Sequence, residues 1–234
     1  NKTLALSWNI FMNIAIIPAR IGSKRIFQKN IKKFHGKPIL LWTIEKIIKS
    51  NIFDKIIVSS DSEKVLKIVE KKNINLHKRK NKYSNDKATT ISAINSCINS
   101  FNFNLSDNIC CIYPCTVFLE KKTLLETLKI LKKNTNKFVL PVLKYEHPIE
   151  RSFTLSNKKK IILNFLKKSS KNTQAFKPSF HDAGQFYWAK AKTWLKSQNI
   201  FEKSIAFCMP IGKTIDIDDK ETWKKAESLF KIKR

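Results

Sequence analysis

Apolar residues follow two rhythms along the first half of the chain. Short β-branched runs, IAIIPA at 14–19, KIIVSS at 55–60 and NICCIYP at 108–114, read as strands. Their near-continuous Ile and Val content is that of strands buried on both faces. Between them lie PILLWTIEKIIKS (38–50), DSEKVLKIVEKK (61–72) and ATTISAINSCINSF (88–101), where apolar residues return at helical spacing. This alternation predicts an α/β fold, a parallel sheet with helices on both faces. Asp61, just after the second strand, is placed to cap the helix that follows.

After a helical stretch at 121–133 the rhythm changes. FVLPVLKY (138–145), IILNFL (161–166) and AGQFYWAK (183–190) predict further strands, in a mixed part of the sheet or a small flap. The basic stretches 158–160 and 167–177 have no period and read as loop. The chain ends with a strand at 204–211, IDIDD at 215–219 read as extended strand, and an amphipathic helix, KETWKKAESLFKI. Neither repeats nor linkers divide it, so residues 12–234 read as one domain, with an insertion at about 138–182 and an extension at 1–11.

Composition changes this picture little. The net charge of +28 first suggests a nucleic-acid partner. Of the 46 basic residues only five are arginine, however, whereas base readout favours the bidentate guanidinium. The charge is better read as lysine spread by coding bias over solvated helix faces, with no specific nucleic-acid partner. Five cysteines without C-x-x-C spacing suggest neither zinc nor a disulfide framework, which fits a reducing, cytoplasmic compartment. The apolar stretch at 3–17 is too short and too interrupted by polar residues to span a membrane.

Two segments carry candidate chemistry. Ligands of open parallel sheets sit beyond the carboxyl ends of the strands, where strand order reverses. The loop leaving the first strand holds Arg20, Lys24, Arg25 and Lys29 around Gly22 and Ser23. It has neither Walker nor dinucleotide spacing, but Arg20, Lys24 and Lys29 are spaced to fold around a polyphosphate while Gly22 and Ser23 offer backbone N–H groups. A solvated basic turn is the plain alternative. In IDIDD, Asp216 and Asp218 fall on one face of an extended chain, and two adjacent carboxylates suit a hard cation such as Mg²⁺. A structural alternative uses Asp218 or Asp219 to cap the last helix.

With IIPARIGSKRIFQKN, IIVSSDSE and IDIDDKETW on the page, the chain resembles the cytidylyltransferases that activate nonulosonic acids, over nearly everything from Met12 onward. HDAGQFYWAK and CCIYP are most similar to the branch acting on pseudaminic acid. The resemblance implies a three-layer α/β/α Rossmann-like nucleotidyltransferase with a mainly parallel mixed sheet and a small β flap. It implies CTP as co-substrate, Mg²⁺ on Asp216 and Asp218, a sugar acid as acceptor and a homodimer. Arg20, Lys24 and Lys29 would hold the triphosphate, beside Gly22, Ser23 and Asn30. Arg79 and Thr90 would face the cytosine and ribose. His181, Asp182, Gln185 and Tyr187 would meet the sugar, and Arg20, Lys29 and Asp216 would carry the reaction. Legionaminate, sialate and 3-deoxy-octulosonate remain alternative acceptors, and an inactive nucleic-acid-binding module is the alternative of a different class. Two departures stand out: Ile21 replaces a common glycine, where a β-branched residue resists a left-handed conformation, and Tyr113 replaces the Gln of sialate enzymes.

Overall fold

A computed structural model describes residues 11–72, 74–85, 88–168, 170–210 and 212–232. The extension expected at 1–11 therefore lies outside the described residues except for Phe11. Strand β1 (Asn13–Pro18) is the centre of the sheet, with the side chains of Ile14, Ala15, Ile16 and Ile17 all fully buried. A β2–β3 hairpin (Lys33–Phe34, Lys37–Pro38) leads into helix α1 (Ile39–Ser50). There follow β4 (Lys55–Ser60), α2 (Glu63–Glu70), β5 (Asn75–Lys78), α3 (Thr90–Phe101), β6 (Asn108–Ile112) and α4 (Lys121–Lys133). Helices α1 and α3 end at Asn51 and Asn102, both left-handed, the conformation in which asparagine commonly stops a helix.

β1 pairs in parallel with β4 on one side and with β6 on the other. Because β4 continues outward to β5 while the chain later returns to β6 across β1, strand order reverses at β1. That reversal opens a crevice beyond the carboxyl ends of β1 and β6. Alternation along the strands sends Ala15, Ile17, Val58 and Ile112 toward α1, α2 and α4, and Ile14, Ile16, Ile57 and Cys111 toward α3. The sheet is thus covered on both faces, as its apolar strands predict.

The rest of the chain mixes the sheet. Strand β7 (Phe138–Lys144) pairs in parallel with β12 (Ser204–Cys208) and antiparallel with β10 (Phe180–Asp182) and β11 (Phe186–Lys190), and β11 also runs antiparallel to β6. Asp182 pairs with Val142, yet Val139 pairs with Trp188 rather than Gln185, a slip of three residues. Residues 183–185 are therefore a bulge between two parts of one strand line, with Gly184 left-handed at its centre. β8 (Phe153–Leu155) and β9 (Ile161–Leu163) form the separate small hairpin that the sequence suggests as a flap. Helix α5 (Ala191–Lys196) buries Trp194 under the sheet. The last helix, α6 (Lys220–Ile232), builds a third core in which Trp223, Ala226 and Phe230 meet Phe34, Ile39, Phe118 and Ile217.

Two expectations are corrected. Residues 215–219 form no strand, because among the described residues no strand pairs with them. The chain there is extended without joining a sheet, and the alternation survives: Ile217 is buried in the third core while Asp216 and Asp218 turn to the opposite side. Asp61 does not cap α2, whose N-cap is Ser62 without a side-chain bond; its carboxylate instead accepts the backbone N–H of Ile21 at 3.3 Å. The N-cap role expected for Asp218 or Asp219 falls to Asp219, which accepts the N–H of Thr222 at 2.8 Å while the Thr222 hydroxyl receives the N–H of Asp219 at 3.0 Å.

At the end of β5, buried His77 lies 2.8 Å from the Ser59 hydroxyl through Nδ1 and 3.1 Å from that of Ser100 through Nε2. Burial, aided by the charge of Arg79, lowers its pKa. The folded state thus binds a proton at His77 less readily than the unfolded chain, whose histidine titrates near about 6.5. Its contribution to stability is full above that value and is lost as pH falls through the lowered one. Denaturation midpoints at pH 7.5 and 5.5 should separate more for the wild type than for His77→Gln; equal separations would remove His77 from the pH response.

Candidate active site

The crevice at the strand reversal holds a cavity of about 460 Å³. Its first wall is the loop after β1. The Ala19 N–H donates to the Ser59 carbonyl at 2.9 Å, keeping the exit in line with β4; beyond it, side chains hold the loop. Asn30 Nδ2 donates to the Arg20 carbonyl at 2.7 Å, and Asn30 Oδ1 faces the Cys115 thiol at 3.5 Å. Asn30 lines the cavity, but its amide braces the loop. Ile21 is not among the residues in the left-handed region, and it packs half-buried against the main core. The strain its branched side chain would suffer there is absent.

Arg20, Ser23, Lys24, Arg25 and Lys29 all reach this wall. Opposite lies the extended segment before α6, carrying Asp216 and Asp218. The two are tied directly: Lys29 Nζ donates to the Ile217 carbonyl at 2.6 Å and to Asp218 Oδ1 at 3.1 Å, and Arg25 donates to Asp218 Oδ2 at 2.8 Å. Asp216 is exposed as a residue, but its carboxylate lies against Gly184. Desolvation there, with the Asp218 charge adding, pushes its pKa up to about 6 against the pull of Lys29.

The third wall is mostly neutral. The first turn of α3 brings Thr89, Thr90 and Ala93 to the cavity, with Thr89 capping the helix by accepting the Ser92 N–H at 3.1 Å. Arg79 lies beneath, 3% exposed, with Nε donating to the Ser84 hydroxyl at 2.8 Å. Burial lowers its pKa, although Asp61 opposes this. One of its terminal nitrogens is buried with no partner among the described residues. An unpaired guanidinium nitrogen in a cavity wall is costly unless a ligand satisfies it.

The bulge at 183–185 makes the fourth wall and turns Asp182, Gly184, Gln185 and Tyr187 toward the cavity. Of the predicted site residues only Gly22 and His181 do not line it. A side chain at Gly22 would meet nothing within 4 Å, so no close approach demands glycine there. His181 turns Nδ1 to the Asp182 carbonyl at 2.9 Å and joins Arg151 in a second cleft. Arg25, Tyr113, Cys115 and Gly184 complete the site without having been assigned to it from sequence. A glycine interrupting a strand-like run is the one such signal, since it marks a bulge. Burial pushes Cys115 up to about 12, so it remains a thiol rather than a nucleophilic thiolate.

Five cations and three carboxylates face one another here, with neutral Thr and Tyr groups between them. That division suits a polyphosphate on one side and a polar acceptor on the other. Comparison with known proteins agrees. A model of the cytidylyltransferase family matches residues 14–222. The chain is 33% identical, over 94% of its length and 97% of the relative's, to a pseudaminic acid cytidylyltransferase of Campylobacter jejuni. It is 27% identical over 91% of its length to an N-acylneuraminate cytidylyltransferase of Escherichia coli, of which it covers 51%. Among solved structures it resembles CMP:2-keto-3-deoxy-manno-octonic acid synthetase complexed with CTP, with a TM-score of 0.72 at 11% identity, covering 95% of this chain and all of that one. From the match across both walls of the site and the near-full-length similarity, the chain belongs to the cytidylyltransferase family.

Proposed function

We propose that this enzyme transfers CMP from CTP to the anomeric hydroxyl of a nonulosonic acid, pseudaminic acid, releasing pyrophosphate. The observation that carries the reading is the single cavity in which the cationic loop faces Asp216 and Asp218, with the unpaired nitrogen of Arg79 between loop and α3. The choice of acid is supported by the 33% identity to a pseudaminic acid cytidylyltransferase across 94% of the chain.

In this reading Arg20, Lys24 and Lys29 bind the triphosphate, and Arg79 and Thr90 meet the nucleoside. Binding requires an exchange of partners. Lys29 and Arg25 hold both oxygens of Asp218, and phosphate oxygens would take over these two cations. The acid's hydroxyl then attacks the α-phosphorus in line, and Lys29 and Arg25 neutralise charge gathering on pyrophosphate. No enzyme nucleophile is needed, consistent with the protonated Cys115. Positioning and charge neutralisation carry such a step.

Mg²⁺ fits the donor set. Among the described residues no three His, Cys, Asp or Glu side chains converge. An ion here would take at most two carboxylates and complete its shell with phosphate and water, as Mg²⁺ does. The raised pKa of Asp216 marks a carboxylate that a neighbouring cation would relieve. Asp216 would hold the ion, and Asp218 would join once its cations have moved to phosphate. Bound there, the ion would polarise the α-phosphate and favour the ionised form of the attacking hydroxyl.

Gly184 serves the same carboxylate. Its φ is +60°, and a Cβ there would lie 2.6 Å from Asp216 Oδ2, so only glycine lets the bulge close against Asp216. No helix among the described residues is long and apolar enough to cross a membrane. Homodimerisation is supported by the β8–β9 hairpin, where Phe153, Leu155, Ile161, Ile162 and Leu163 are all exposed in the single chain.

Purified protein with CTP and Mg²⁺ should release pyrophosphate with pseudaminic acid in preference to legionaminic acid, sialic acid and 3-deoxy-octulosonate. Preference for another acid would keep the chemistry and replace the acceptor; no release, with steeply salt-dependent nucleic-acid binding, would favour the binding-module alternative. Asp216→Asn should lower kcat by roughly a hundredfold with little change in melting temperature. Activity above about a tenth of wild type would remove its assigned role. Lys29→Ala should raise KM for CTP by about tenfold or more, the worth of a charged hydrogen bond. A change confined to the KM of the sugar acid would place the triphosphate elsewhere.

A further inference from the structure

The basic loop departs from a single peptide group, the one joining Arg20 to Ile21, and that group is held from both sides. Its carbonyl, on Arg20, accepts a hydrogen bond from Asn30 Nδ2 at 2.7 Å. Its N–H, on Ile21, donates to Asp61 Oδ1 at 3.3 Å. A peptide group is planar, so fixing its oxygen and its hydrogen together sets the direction of the whole plane. The Ile21 carbonyl then receives the Ser23 N–H at 2.9 Å, and the Ile21 side chain packs against the main core. Among the described residues no strand pairs with residues 20–28, so the directions of Ser23, Lys24 and Arg25 follow from that plane rather than from the sheet.

Asp61 stands directly after β4, half-buried, and does not line the cavity, whereas Arg20, Ser23, Lys24 and Arg25 do. It therefore touches the backbone of the loop from behind and leaves the cavity side to a ligand. A carboxylate beside groups gathered for an anion calls for a reason, and its surroundings give one. The Arg79 N–H continues the pairing of β4 with β5 by donating to the Ser60 carbonyl at 2.8 Å, which brings the buried guanidinium alongside. The Asp61 charge supports that cation, while Arg20 repels it. One side chain thus ties the loop to the end of β4 and offsets the crowding of two guanidinium groups.

We propose that Asp61 is a positioning residue for the nucleotide half of the site: by accepting the Ile21 N–H it sets the plane of the Arg20–Ile21 peptide and so aims the basic loop at the triphosphate of CTP. This rests on the reading in which that loop binds CTP. Asp61 then distinguishes the two substrates, because the acceptor wall at the bulge is built on other hydrogen bonds, those of Asp182 with Gly184 and Tyr187. It also gives the branched residue at position 21 a use: Ile21 is anchored by its side chain in the core and by its N–H on Asp61.

Two measurements on the full chain test this, each on wild type, Asp61→Ala and Asp61→Asn. Asparagine keeps a carbonyl oxygen for the Ile21 N–H and drops the charge, whereas alanine removes both. In amide hydrogen exchange without nucleotide, residues 20–24 should exchange about tenfold faster in Asp61→Ala and near the wild-type rate in Asp61→Asn, with the helices unchanged. In steady-state pyrophosphate release with CTP, Mg²⁺ and pseudaminic acid, KM for CTP should rise about five- to tenfold in Asp61→Ala and stay within about twofold of wild type in Asp61→Asn. KM for the sugar acid should hold in both. Thermal melting identifies a variant that merely fails to fold; Asp61→Leu, similar in shape to the carboxylate and without an acceptor, then replaces Asp61→Ala. Unaltered exchange in the acceptor-free variant, an equal rise in KM for CTP in Asp61→Asn, or a matching rise in KM for the sugar acid would overturn the positioning role while leaving the function standing. Absence of turnover in the wild type would overturn the functional reading and with it the proposal, whatever the exchange rates show.

Discussion

Packing of three aromatic rings, Phe34, Trp223 and Phe230, decides where the site forms. Phe34 meets Trp223 and Phe230 edge-on at 5.4 and 5.2 Å, and it lies just past the cationic loop in sequence. Neither that loop nor the segment carrying Asp216 and Asp218 has a sheet partner, so strand pairing cannot set the distance between them. The third core sets it, by docking α6 beside the β2–β3 hairpin. Burial of one such ring is worth about 1.5–3 kcal/mol, and each edge-on pair adds about 0.5–1.5 kcal/mol. The solvent-open Arg25–Asp218 pair contributes about 1 kcal/mol at most. Packing therefore positions the charges, and the ion pairs report the position.

The bulge is the complementary device on the other side. A regular strand would carry its ladder straight past the cavity. The three-residue slip between β10 and β11 breaks that ladder, brings Asp182, Gln185 and Tyr187 to one wall, and lets Gly184 close on Asp216. Two irregular segments held by regular structure thus form one side of the cavity, while the reversal of strand order opens the other.

Much of this was legible in the chain because burial on both faces writes itself as Ile and Val runs. KIIVSS is a strand over its whole predicted length, and the helix at 121–133 has its predicted ends. The short strands β5, β8 and β10 were not legible, since three or four residues of mixed polarity carry no period. IDIDD shows the limit of periodicity: alternation correctly separates Ile217 from its acidic neighbours, but it cannot say whether a partner strand exists. Arg25 lay in plain view in the loop, yet its role depends on Asp218, 193 residues away, and no local pattern encodes such a contact. Gly22 shows the converse, a glycine whose identity suggested close approach and whose surroundings are open.

The distribution of arginine adds a different kind of record. Of the five arginines in the chain, Arg20, Arg25 and Arg79 line a single cavity, while lysine supplies nearly all other positive charge. Where a solvated face needs only charge, either side chain serves. A planar, forked guanidinium that stays charged when buried has no such substitute. Three of the five arginines thus stand where a forked guanidinium can meet a ligand, and most of the lysines, which make up the bulk of the charge, serve as point charges elsewhere on the molecule.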